Sequence, residues 1–112
     1  AMIRASARAG AIIAGANENE LLCVTRCAER LGLLFQITDD LLDVTQTTET
    51  LGKTAGKDAA AEKATYPAFY GVERTRELAE KVHAEAVASL NQIDKNTDLL
   101  KALVDFILRR TK

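Results

Sequence analysis

Three carboxylates crowd the run Asp39-Asp40-Leu41-Leu42-Asp43. On a helix, residues four apart face the same side, so Asp39 and Asp43 would project together. Asp40 lies about 100° further round. Their neighbours Phe35, Ile37, Leu41, Leu42 and Val44 are apolar. Carboxylates this close repel one another, and burying them is unfavourable without a counter-charge. Hydrated Mg²⁺ supplies that charge, and it takes carboxylates together with waters and phosphate oxygens. A solvated acidic helix face is the other reading of the same residues.

A second cluster follows at once, in Leu51-Gly52-Lys53-Thr54-Ala55-Gly56-Lys57-Asp58 and then Lys63-Ala64-Thr65-Tyr66-Pro67. Lysines among glycines can wrap an anion, with backbone N–H groups adding donors. The Gly-Lys-Thr here lacks the spacing and flanking strand of a Walker motif. Taken alone, the segment reads first as a flexible basic loop. Carboxylates at a helix end followed by lysines suit a metal–diphosphate ligand: the metal bridges carboxylate and phosphate, and the lysines neutralise what charge remains. A third cluster, Arg109, Arg110 and Lys112, either complements a helix C-terminus or binds an anion.

The elements that must hold these groups are helical. One proline, Pro67, and few β-branched runs leave little room for a sheet. Residues 1–15, rich in alanine and glycine, read as an inner helix of a bundle. Asn17 suits an N-cap, with Glu18 and Glu20 in the first turn. A long helix then runs to about Val44, with Leu21, Val24, Ala28, Leu31, Phe35, Thr38 and Leu42 at helical spacing. Gly32 inside it costs about 1 kcal/mol against alanine, which marks a close contact with a backbone or a ligand. Residues 45–66 are a long polar connection, of the kind that is functional or disordered. Thr65 and Pro67 open the next helix, over 67–91, with a stripe of Leu78, Val82, Ala86 and Leu90. After a turn, Asn96 or Thr97 caps a last helix over 97–110, in which Leu99, Leu100, Leu103, Val104 and Ile107 form the expected buried face.

Composition narrows the classes. The 112 residues are 47% hydrophobic and 28% charged, with a formal net charge of −1. That balance supports one folded domain and gives no global pull toward nucleic acid or an anionic membrane. No segment approaches the roughly 18 apolar residues that span a bilayer. Cys23, Cys27 and a distant His83 do not make a zinc set, and the cysteines read as free thiols in a reducing compartment. The start, Ala1-Met2-Ile3-Arg4, lacks a signal-peptide layout and reads as the interior of a helix, so an upstream segment is expected.

The stretch Phe35-Gln36-Ile37-Thr38-Asp39-Asp40-Leu41-Leu42-Asp43 resembles the FQxxDDxLD segment of trans-prenyl diphosphate synthases. Gly52-Lys53, Gly56, Asp58, Lys63 and Thr65-Tyr66-Pro67 resemble that family's GKxxGxDxxxxKxTYP segment at the same spacing. The resemblance implies an all-α helical bundle, the C-terminal part of an isoprenoid synthase fold. It implies that Asp39 ligates Mg²⁺ directly, with Asp40 and Asp43 acting largely through metal-bound water. Gln36 would position Asp39 and the allylic diphosphate, Lys53 and Lys63 would bind that diphosphate, and Arg109 and Arg110 would close the site over isopentenyl diphosphate. The reaction implied draws diphosphate from the allylic carbon with magnesium and cations. The carbocation is then attacked by the double bond of isopentenyl diphosphate, and a proton is lost.

The departures matter too. The family's first aspartate-rich motif, the upstream residues that hold isopentenyl diphosphate and those that set product length have no counterpart here. Three explanations stand: a portion of a full synthase, one half of a split enzyme, or a stand-alone helical interaction or regulatory subunit. The first gives a prenyltransferase portion, inactive alone, with products of farnesyl to geranylgeranyl length and a homodimer at full length. Its compartment would be the cytoplasm, or a plastid in a plant. Residues 1–15 and 18–44 carry more apolar surface than their neighbours can cover, so a partner chain, a second copy or a missing half is expected to bury it.

Overall fold

A computed structural model describes residues 2–46 and 65–110. The described residues form four helices: α1 (Met2–Ile13), α2 (Glu18–Gln46), α3 (Tyr66–Asn91) and α4 (Asp98–Arg109). Among the described residues there is no strand, as the all-α expectation required. Among the described residues no helix is long and apolar enough to cross a membrane.

Local chemistry sets the boundaries. Helix α1 ends at Gly15, which takes φ +84°, a conformation open chiefly to glycine. Ala16 N–H then donates to Ala11 O and Gly15 N–H to Ile12 O, both at 3.0 Å, the two bonds of a Schellman stop. Helix α2 starts on a reciprocal capping box: Glu20 N–H donates to Asn17 Oδ1 at 2.8 Å, and Asn17 N–H to Glu20 Oε1 at 2.9 Å. Helix α3 opens on Thr65, whose side-chain oxygen accepts from Ala68 N–H at 3.3 Å, with Pro67 in the first turn. Ahead of α4, Asn96 Oδ1 accepts from Asp98 N–H at 2.8 Å, whereas the Thr97 side chain makes no capping bond.

The core is the seam between α2 and α3, closed by one residue of α4. Cys27, Leu34 and Ile37 pack with Ala79, Val82, Ala86, Leu90 and Val104. Burying a Leu or Ile side chain contributes about 1.5–3 kcal/mol, so Leu34 and Ile37, both 0% exposed, anchor α2. The expected Val82, Ala86 and Leu90 stripe is buried. Burial pushes the Cys27 thiol up to about 11, which keeps it protonated and makes it a core residue, not a nucleophile.

Four expectations change. Helix α1 has no buried residue among the described residues, where an inner position was expected. Polar contacts tie it to α2: Arg8 Nη1 donates to Thr25 Oγ1 at 2.8 Å, and Arg4 pairs with Glu29 at 3.2 Å. Within α4 only Val104 is fully buried, while Leu99, Leu100 and Leu103 are exposed. Apolar residues there occupy two faces, and α4 docks through Val104, Ile107 and Leu108. Helix α3 is not continuous: Gly71, at φ 84° and ψ 161°, breaks it into a turn at Tyr66–Tyr70 and the long segment beyond. At Gly32 a Cβ would meet nothing within 4 Å among the described residues.

Candidate functional site

The aspartate run lies in the last third of α2, with its helical register intact. That register divides the three carboxylates. Asp39 and Asp43 are exposed, and their four-residue spacing places them on one side of the helix. Asp40 turns inward and is 8% exposed. Its Oδ1 accepts from Gln36 Nε2 at 3.0 Å, and its Oδ2 from the backbone N–H of Tyr66 at 3.3 Å. Asp40 therefore binds the N-terminus of α3, where a carboxylate meets the positive end of the helix dipole. Gln36, expected beside Asp39, is engaged with Asp40.

Arg110 comes to the same place from the far end of the chain. Its guanidinium carbon lies 4.4 Å from the centre of the Phe35 ring. Its Nη2 donates to Thr38 Oγ1 at 2.8 Å and to Phe35 O at 3.2 Å, and lies 3.8 Å from Asp39 Oδ1. The Arg110 side chain is only 11% exposed. Its Nε is buried without a hydrogen-bond partner among the described residues. Arg109, one residue earlier, is exposed in the last turn of α4. The two arginines, alike in sequence, thus have different surroundings. Lys53 and Lys63 lie outside the described residues.

Two clefts flank this part of α2. One, of about 260 Å³, is lined by Thr38, Thr45, Arg76, Glu80 and Arg110 among others. The other, of about 520 Å³, runs between α1, α2 and α4 from Phe35 past Leu31 and Leu103. Its walls are apolar, and exposed Leu100 and Leu103 lie on its rim.

Among the described residues no three His, Cys, Asp or Glu side chains converge into a ready-made metal cage. The fit to Mg²⁺ rests on donor type. Mg²⁺ keeps several waters and is held by one or two carboxylates plus substrate phosphates. Asp39 and Asp43, exposed on one face, are carboxylates of that kind, and each Asp40 oxygen accepts one hydrogen bond from the protein. The inward turn of Asp40 was not foreseen from the sequence. Its signal was Tyr66, whose N–H opens a helix and needs an acceptor.

The chain matches the model of the polyprenyl synthetase family over residues 1–106. It is 51% identical to a chloroplastic geranylfarnesyl diphosphate synthase of Leucosceptrum canum, an alignment covering 100% of this chain and 31% of that enzyme. It is 48% identical to geranylgeranyl pyrophosphate synthase 12, chloroplastic, of Arabidopsis thaliana, over 98% of this chain and 31% of the relative. It is 43% identical to a geranylgeranyl diphosphate synthase of Cyanophora paradoxa, over 98% of this chain and 37% of the relative. The chain therefore spans about a third of the length of these curated relatives.

Proposed function

The chain belongs to the polyprenyl synthetase family, and from that premise we propose that it supplies the C-terminal metal- and diphosphate-binding portion of a short-chain prenyl diphosphate synthase. The complete enzyme would be a transferase that joins isopentenyl diphosphate to an allylic diphosphate. The relatives' names favour products of geranylgeranyl to geranylfarnesyl length and a plastid location, in place of the cytoplasm. The observation that carries the reading is the outward pair Asp39 and Asp43 at the end of α2, in a chain matched almost throughout by the family model.

Asp39 and Asp43 would hold Mg²⁺ from one side of the diphosphate. Bound there, the metal supplies a Lewis acid that stabilises charge on the leaving diphosphate. Asp40 fixes α3 against the motif, and Gln36 fixes Asp40. Lys53, Lys63 and the exposed Arg109 are the cations proposed for substrate diphosphates. A remaining portion of about two-thirds of the relatives' length would complete the site and cover the apolar cleft, and the full enzyme would be a homodimer. The chain alone would be inactive. Assaying the longer protein and the 112-residue chain side by side, with labelled isopentenyl diphosphate, an allylic diphosphate and Mg²⁺, tests this. Product should form only with the former, and product from the chain alone would refute the division of labour.

A second reading, a non-catalytic helical subunit, is favoured by exposed Leu99, Leu103 and Phe106 on α4. An apolar stripe of that kind suits a protein partner. This reading requires no Mg²⁺-dependent diphosphate binding in any assembly.

A further inference from the structure

We propose that Arg110 competes with a divalent cation for Asp39, so that the end of α4 senses whether the aspartate face is metallated. The inference rests on the metal-binding role proposed for Asp39 and Asp43.

The guanidinium of Arg110 is nearly buried, and within the described residues the one carboxylate paired with it is Asp39, at 3.8 Å. That distance is long for an ion pair. What holds Arg110 in place is mainly the Phe35 ring and the oxygens of Thr38 and Phe35. A cation over an aromatic face gains about 0.5–2 kcal/mol, and more as water is excluded. Arg110 is therefore fixed beside Asp39 by contacts that do not depend on Asp39. Its Nε is buried with no hydrogen-bond partner among the described residues.

A cation brought to Asp39 would lie a few ångströms from this fixed positive charge. At such distances like charges repel strongly unless water lies between them. The same proximity makes the coupling reciprocal: if Arg110 weakens the metal, the metal weakens the hold of Arg110 by an equal factor. The readout is built into the helix. The backbone N–H of Arg110 closes α4 by donating to Phe106 O at 2.9 Å, so release of the side chain would be read at that bond. Arg109 lacks this seat and serves as the control.

The test measures Mn²⁺ binding to the intact protein at low salt, together with hydrogen exchange over residues 104–110. Arg110→Gln should tighten Mn²⁺ by about tenfold, within the range usual for coupled sites. Arg110→Lys, which keeps the charge, should tighten it less, and Arg109→Gln should have a smaller effect still. Mn²⁺ should also speed exchange at the Arg110 amide in the wild type. Mn²⁺ binding that is unchanged or weakened in Arg110→Gln would overturn the proposal while leaving the metal site in place. Mn²⁺ binding indifferent to Asp39→Asn and Asp43→Asn together would overturn both the competition and the metal reading.

Discussion

Tyr66 donates its backbone N–H to Asp40 Oδ2 at 3.3 Å, so helix α3 begins on the aspartate motif itself. The bond spans 26 residues of sequence. It joins the end of one helix to the start of the next through the middle carboxylate of the motif.

Asp40→Ala should destabilise the fold by about 1–3 kcal/mol, the usual penalty for removing a buried partner and a helix-terminal acceptor. Asp39→Ala, at a half-exposed residue with one loose ion pair, should lose less than about 1 kcal/mol. Urea unfolding of the two variants distinguishes them. Equal losses would contradict the inward role of Asp40.

Gly71→Ala isolates a backbone effect. Among the described residues an added Cβ would meet nothing within 4 Å, so the test reads the backbone and not crowding. The conformation at φ 84° and ψ 161° is nearly closed to other residues, and forcing it should cost about 1–3 kcal/mol. A neutral result in thermal unfolding would mean that the break in α3 is not required.

Glu20 gives a pH signature. The Lys95 ammonium, 2.6 Å away, and next the Asn17 backbone N–H hold its carboxyl below the ordinary 4.5. Above pH 4.5 both folded and unfolded chains carry the charge, and the stabilisation is fully present. As pH falls below 4.5 the unfolded chain takes up the proton first, and the stabilisation fades until the folded carboxyl also protonates. Glu20→Gln should therefore be less stable than the wild type at neutral pH, with the gap closing below pH 4.5. A gap that stays constant down to pH 3 would contradict the pairing.

How much of this was legible in the sequence follows from what each feature depends on. Helix ends were readable where one side chain decides them, as at Asn17, Thr65 and Pro67. The α3 stripe was readable because Val82, Ala86 and Leu90 have few apolar competitors around the helix. Helix α2 has apolar residues on several sides, so the expected stripe through Phe35 missed Leu34 and Ile37, the residues that reach the core. In α4 the surplus of leucines hid which face would dock. Within the site, the spacing of Asp39 and Asp43 was sufficient to pair them. Neither the turn of Asp40 toward Tyr66 nor the seat of Arg110 on Phe35 follows from spacing, because both depend on how α3 and α4 return to α2.

The most direct measurement is calorimetric titration of the intact protein with a non-reacting allylic diphosphate analogue, with and without Mg²⁺. Binding should require Mg²⁺ and weaken by about tenfold or more in Asp39→Asn and in Asp43→Asn, while folded Asp40→Asn should retain most of it. Binding of equal strength without Mg²⁺, or undiminished in an Asp39→Asn, Asp43→Asn double variant, would contradict the assignment of this helix face to metal and diphosphate.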